Sequence, residues 1–324
     1  QLEALLTSPI GKQLRALSLR DNNLDEMSCA LLSEGPTLPR LERLFLGARV
    51  DSPYFTSRHH YYNAFGKRGF ELLARNQRFP SLEGLELAYH NMTVEMLSLL
   101  TKANFPALCM LDVHNNILHR NGLIDFFHNP LASQLTHIDL SGNALDNDTL
   151  GALTTARREV PIRALLLNGI RLDLEGMRHL ARAPQMRTLK RLELAENNLT
   201  KELLICFDEE DRFPELERLS IAGNKPPDHV TAAIIRSATA QHLTELDLRT
   251  NHIGAQSREA LLTPGVLPKL QRLRLSPPNG KYTPEVYLAG NRLQDIIRYD
   301  YYSSDPTHSD LFSSRFTRAK EPKT

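Results

Sequence analysis

Four side chains that can ligate a metal or transfer protons lie in two short stretches of the sequence, 112–114 and 137–139. Asp112 and His114 lie in the first stretch, and His137 and Asp139 lie in the second. Carboxylates and imidazoles together ligate zinc and other divalent ions, or they carry out acid–base chemistry. Residues two apart on a strand project from one face at about 6 to 7 Å spacing. On an open, wet surface that spacing gives little preorganisation, so a metal or catalytic role is the minor alternative. We expect no catalytic residue, no metal and no cofactor.

These residues belong to a longer pattern of side chains that lie between two strand leucines. Five of the ten are acidic, and the full series is Ser18, Phe45, Glu86, Asp112, Asp139, Leu166, Glu193, Ser220, Asp247 and Arg274. Two positions earlier the same face carries Arg43, His137, Arg191, Arg218 and Arg272. One hypothesis is that the acidic zone meets a basic protein partner, with Arg191 and Arg218 contributing or repelling charge. The alternative is a solvated face whose charges keep an exposed sheet soluble.

The elements that position these side chains come from a leucine comb that returns mostly every 27 residues. Its template is Leu-x-x-Leu-x-Leu-x-x-Asn-x-Leu, and one nearly complete copy is Leu135, Ile138, Leu140, Asn143 and Leu145. The Leu-x-Leu core predicts a short strand with one apolar face. The Asn amide can bond backbone groups through both of its ends, which predicts a turn-holding ladder. Its predicted members are Asn22, Asn116, Asn143, Asn197, Asn224 and Asn251.

Helices are expected after each turn because apolar residues there recur at three- and four-residue spacing. The predicted helices are 25–33, 146–158, 201–208 and 255–262. A fixed self-similar period of this length is typical of a solenoid. Helices are wider than strands, so stacked units should curve with the sheet on the concave side.

The comb resembles the ribonuclease-inhibitor type of leucine-rich repeat, over about residues 2–276. The resemblance implies an α/β fold, a right-handed solenoid or horseshoe of about ten repeats, with a parallel β-sheet on the concave face and helices on the convex face. Proteins of this type include Ran GTPase-activating proteins and the sensor regions of intracellular immune receptors. The resemblance is specific for the fold and unspecific for the activity.

One interval between repeats is 41 residues, which exceeds 27 by 14 and predicts an insertion at about 50–67. The repeat pattern breaks at Arg49, which stands at the Asn position, and the segment that follows is dense in aromatic and histidine residues. We expect a rim loop that recognises a partner, since Tyr and His combine apolar area with polar tips. The alternatives are packing against the next repeat, or metal binding through two histidines. The predicted loop contacts are Tyr54, Phe55, His59, His60, Tyr61 and Tyr62.

The predicted domain organisation is a leucine-rich repeat domain at 1–276, a C-terminal cap at 277–298 and a C-terminal tail at 299–324. The cap is expected because the strand-like stretch after residue 285 leaves no room for a full repeat. The chain does not begin with Met, so we expect it to be part of a longer protein.

Composition narrows the class of function. The 39 basic and 38 acidic residues give a net charge of +1, so nothing favours nucleic acid or an anionic membrane as a partner. The three cysteines are far apart at apolar repeat positions, which favours buried thiols in a reducing compartment. We therefore expect a cytoplasmic protein, with a secreted effector as the alternative.

The leading hypothesis is a non-catalytic, monomeric protein-interaction module that binds an unidentified protein through the concave sheet and the rim loop. The runner-up is a regulatory or effector protein, either a GTPase-activating-like scaffold or the targeting part of a longer enzyme. Besides the loop contacts, the predicted partner-binding residues are Glu86, Asp112, His114, His137, Asp139, Arg191, Glu193 and Arg218.

Overall fold

The computed structural model describes residues 1–48, 63, 65–75, 78–119, 121–145, 149–152, 162–207, 212–275, 285–287 and 297–298. The predicted rim-loop contacts Tyr54, Phe55, His59, His60, Tyr61 and Tyr62 lie outside these residues. So do the predicted tail and most of the predicted cap.

The chain divides into two compact units, of which the first holds residues 1–143 and the second begins at Ala144. In the first unit strands and helices alternate, and each strand is parallel to the next. Its strands are β1 (Ala16–Ser18), β2 (Arg43–Phe45), β3 (Gly84–Glu86), β4 (Met110–Asp112) and β5 (His137–Asp139). Its helices are α1 (Leu2–Thr7), α2 (Glu26–Glu34), α3 (Gly66–Ala74), α4 (Val94–Leu100) and α5 (Asn121–Phe127), with 3₁₀ turns at Gly11–Gln13 and Ala132–Gln134.

The second unit continues the same alternation. Its parallel strands are β6 (Ala164–Leu166), β7 (Arg191–Glu193), β8 (Arg218–Ser220), β9 (Glu245–Asp247) and β10 (Arg272–Arg274). Its helices are α6 (Leu174–Arg182), α7 (Asp228–Arg236) and α8 (Ala255–Leu262), with 3₁₀ turns at Pro184–Thr188, Lys201–Ile205 and Thr239–His242. Two antiparallel strands follow β10, namely β11 (Glu285–Tyr287) and β12 (Ile297–Arg298). Both lie within the segment predicted as a cap.

The leucines at the centre of the strands form the core, which confirms the inward direction that the comb predicts. Leu44, Leu111, Ile138, Leu192 and Leu246 are all buried. The helices of the first unit pack in sequence, α2 on α3, α3 on α4 and α4 on α5. These features confirm the predicted fold class, an α/β solenoid of leucine-rich repeats.

Five of the six predicted ladder members bond strand-end oxygens as predicted, namely Asn116, Asn143, Asn197, Asn224 and Asn251. Asn116 donates from Nδ2 to the main-chain oxygens of Leu87 and Val113, both at 2.9 Å. Its Oδ1 accepts from the main-chain nitrogens of His90 and Met92, again at 2.9 Å. Each such amide joins its own strand end to the turn of the preceding repeat. Asn22, in the first repeat, is exposed, and its Nδ2 donates locally to the main-chain oxygen of Arg20.

The long interval also contains a ladder residue that the sequence analysis missed. Arg49 stands at the Asn position, but Asn63 takes that role 14 residues later. Its Oδ1 accepts from Leu24 N at 2.8 Å, and its Nδ2 donates to the oxygens of Leu19 and Leu46. The sequence Asn63-Ala64-Phe65 repeats the Asn-x-Leu end of the template, which is the signal that could have found it. Asn63 therefore takes the ladder position inside the segment, at about 50–67, where the sequence predicts the insertion.

Two predicted helices match the structure closely, since α2 begins one residue later than predicted and α8 has the predicted bounds. The predicted α-helix at 201–208 is a five-residue 3₁₀ helix instead, Lys201–Ile205. Residues 149–152 are helical, and the rest of the predicted helix at 146–158 lies outside the described residues. Over the part of the chain that the structure describes, no helix is long and apolar enough to cross a membrane.

Candidate functional site: a buried carboxylate cluster and a charged sheet face

Three carboxylates stand side by side on the first unit's sheet. The strand register pairs Glu86 with Asp112 and Asp112 with Asp139, which places them on adjacent strands. All three have 0% exposure. The expectation of an open, wet surface is therefore wrong here. Neighbouring carboxylates at this spacing repel each other when ionised, and the repulsion grows as water is excluded.

The guanidinium of Arg20 lies next to this cluster. Its Nε lies 3.0 Å from Glu86 Oε2, and the guanidinium lies 4.6 Å from the centre of the Phe45 ring. Glu86 Oε2 also accepts from Gly47 N at 3.2 Å. Burial raises the pKa of Glu86, Arg20 lowers it in part and the charge of Asp112 raises it further. Burial is the largest of these effects, so the net pKa shift of Glu86 is upward.

Asp112 is tied to His114. Its Oδ1 accepts from His114 N at 3.1 Å and from His114 Nδ1 at 2.6 Å. Burial raises the pKa of Asp112 to about 7, against the opposing effects of the His114 N–H and Arg20. Burial also lowers the pKa of His114, against the attraction of Asp139 and Glu86. Both shifts favour the neutral forms, as expected where water is excluded.

Asp139 completes a three-residue cluster on β4 and β5. One ligand atom from each of Asp112, His114 and Asp139 lies within 4.8 Å of the others. From strand spacing alone, the side chains of Asp112 and His114 were expected to lie about 6 to 7 Å apart. His114 follows the end of β4, where its ring reaches back to Asp112. His137, the fourth predicted member, is not in the cluster: it is half-buried, and its Nδ1 lies 2.8 Å from Thr136 Oγ1.

The second unit carries a different arrangement, a set of shared ion pairs. We call it the charged face and define it as Arg191, Glu193, Arg218, Glu245, Asp247, Arg249, Arg272 and Arg274. Arg191 Nε lies 2.8 Å from Glu193 Oε1. Glu245 is shared by Arg218 at 3.4 Å and Arg272 at 3.0 Å.

Asp247 is shared in the same way. It accepts from Arg249 at 2.7 Å and lies 3.8 Å from Arg274. These pairs are partly open to solvent: 40% of the Arg218 side chain and 33% of the Arg272 side chain are exposed. Arg191 and Glu193, also predicted binding residues, are more enclosed.

Arg20 and Arg249 are residues of these sites that the sequence analysis missed. Arg20 directly follows Leu19 and Arg249 follows Leu248, as His114 follows Val113 at the same repeat position. That position lies two residues beyond the one between the leucines and so points the same way. Following the alternation one step past each strand would have found them.

A family model described as "Leucine Rich repeat" matches residues 239–262. The match spans the 3₁₀ turn, β9 and α8, which together make one repeat. The chain is built from leucine-rich repeats. None of the curated proteins matches the sequence. The ribonuclease-inhibitor subtype remains a prediction.

Two solved structures are similar to the chain at low identity. One is the crystal structure of human 5T4 (Wnt-activated inhibitory factor 1, trophoblast glycoprotein), at 20% identity and a TM-score of 0.41, covering 60% of this chain and 69% of that one. The other is a chain of the yeast Rad7 and Elc1 complex, at 15% identity and a TM-score of 0.38, covering 78% of this chain and 73% of that one.

Proposed function

We propose that the protein is a non-catalytic protein-interaction module that binds a protein partner through the charged face, with the rim loop at about 50–67 as a second, separate contact. The observation that carries the proposal is the ordered sharing of Glu245 between Arg218 and Arg272 on a partly exposed sheet. Leucine-rich repeats present such rigid, preformed surfaces to protein partners.

The partner that fits is a protein surface or segment rich in Asp and Glu. The charged face holds five arginines and three acidic residues, a formal charge of +2. Guanidinium groups bind carboxylates through bidentate hydrogen bonds. Because the ion pairs already order the arginines, less side-chain entropy is lost when a partner binds. The basic partner that the sequence suggested for Glu86, Asp112 and Asp139 would have to reach residues that are buried.

A charge-reversal experiment tests the docking surface. A partner is first isolated from native extract by crosslinking to the full chain, and its Kd is then measured with purified proteins. Arg218→Glu with Arg272→Glu should weaken binding roughly tenfold to a hundredfold, with a steep dependence on salt.

The matched control reverses Arg178 and Arg236, which have similar exposure but lie on α6 and α7. The control should retain the wild-type Kd. Equal affinities for wild type and the Arg218 and Arg272 variant would refute the charged face as the docking surface.

The rim loop is tested by a deletion that respects the asparagine ladder. Removing residues 49–62 joins Ala48 to Asn63 and restores the Leu-x-x-Asn spacing after Leu46. The shortened protein should keep its fold and lose affinity for the isolated partner. An unchanged Kd in a folded deletion variant would remove the loop from the proposal.

A further inference from the structure

We propose that Asp112, His114 and Asp139 bind one divalent transition-metal ion, with zinc as the best-fitting species, and that this ion ties β4 to β5. The proposed site lies in the first unit. It does not depend on the proposed partner binding.

The three residues form a compact and buried cluster. The three ligand atoms lie within 4.8 Å of one another, and all three residues are buried. Ligands of a tetrahedral ion with bonds of about 2.1 Å lie roughly 3.4 Å apart. Small side-chain rotations therefore bring the cluster to metal-binding distances without moving the strands.

A second observation points to a ligand. Asp112 Oδ2 is completely buried, and within the described part of the chain no group hydrogen-bonds to it. Only Oδ1 of this carboxylate is used, by the main chain and ring of His114. A buried carboxylate oxygen without a hydrogen bond is costly, and a cation is the partner that satisfies it most fully.

Charge balance gives a third, independent argument. With all groups ionised and His114 neutral, the carboxylates of Glu86, Asp112 and Asp139 and the guanidinium of Arg20 sum to −2. One divalent ion neutralises this buried set. Without the ion, like-charge repulsion and desolvation favour the neutral forms of these carboxylates.

The donor atoms select the class of metal. Two carboxylate oxygens and one imidazole nitrogen suit zinc, cobalt and manganese, whereas calcium and magnesium prefer sets made of oxygen alone. Three protein ligands leave at least one further coordination position.

The test uses the full chain after treatment with EDTA and dialysis. Zinc is titrated by calorimetry, and cobalt is followed by its visible absorption bands. We expect one ion per chain, cobalt bands of a low-coordinate nitrogen–oxygen site and a higher melting temperature with zinc. His114→Ala and Asp139→Asn should each weaken zinc binding at least tenfold.

His137→Ala is the matched control because it removes a neighbouring imidazole that lies outside the cluster. It should bind zinc as the wild type does. If His114→Ala does not fold, the cobalt spectrum of the wild type and the near-isosteric Asp112→Asn variant decide the question. The proposal is overturned if the wild type takes up neither zinc nor cobalt stoichiometrically, if His137→Ala weakens binding as much as the cluster variants, or if calcium binds as tightly as zinc.

Discussion

His90 Nε2 donates a hydrogen bond to the main-chain oxygen of Leu46 at 3.1 Å. His90 occupies the ladder position that Asn116 fills one repeat later, and Asn116 makes the corresponding bond to Leu87. The imidazole is buried and stacks on Phe65 at 4.5 Å between ring centres. A titratable side chain thus stands in a ladder of amides that do not titrate.

The presence of histidine at this ladder position makes the stability of the first unit sensitive to acid. Burial lowers the pKa of His90 from 6.5 to about 4, so the folded protein holds the neutral ring. The unfolded chain binds a proton at higher pH than the folded chain does. The contribution of His90 to stability is therefore complete above pH 6.5 and is lost as pH falls from 6.5 towards 4.

Replacing His90 with Gln should remove this dependence, since an amide can donate to Leu46 without titrating. Between pH 7 and pH 4 the wild type should lose about 3 kcal/mol of unfolding free energy relative to the variant. Urea unfolding of both proteins at several pH values measures the difference, and carboxylates that titrate alike in both cancel. Parallel stability curves would show that His90 does not carry the effect.

Asn63 should be as important to stability as the regular ladder residues, although it follows the insertion. Asn63→Ala removes bonds to Leu19, Leu24 and Leu46 and leaves buried main-chain groups without partners. We expect a loss of about 3 kcal/mol or more, because three hydrogen bonds are lost and each unmade buried hydrogen bond costs about 1 to 3 kcal/mol.

The matched control is Asn22→Ala, the same change at the exposed ladder position of the first repeat. It should cost roughly 0.5 kcal/mol or less, as surface substitutions do. Denaturant unfolding of the two variants checks the prediction. Equal losses at both positions would mean that Asn63 has no ladder role.

The repeat period was sufficient to predict the fold, the inward leucines and most of the asparagine ladder. Each of these depends on a local pattern that recurs, so one repeat predicts the next. Asn63 was missed because the insertion moves it away from its expected distance, and only the Asn-x-Leu pattern around it remains.

The state of the candidate site could not be predicted in the same way. The alternation of a strand gives the direction of Asp112 but not whether water reaches it. Burial raises the pKa of Asp112 to about 7, and Arg20, which is distant in the sequence, opposes that rise. The pairing of Arg218 and Arg272 through Glu245 likewise needs the register of three strands.

Gly47 gives a test of how tightly the buried carboxylate of Glu86 is enclosed. A Cβ at this position would lie 2.2 Å from Glu86 Oε1 and 2.6 Å from the main-chain oxygen of Ala88. Gly47 N also donates to Glu86. The main chain of Ala88 cannot move aside as the end of a flexible side chain could. Gly47→Ala should therefore destabilise the protein by about 3 kcal/mol or more.

Gly169→Ala is the control: Gly169 has a φ of +61° and open space around it. That change should cost only the backbone strain of about 1 kcal/mol. Thermal and urea unfolding of both variants measure the difference, and a smaller loss at Gly47 than at Gly169 would contradict the close packing around Glu86.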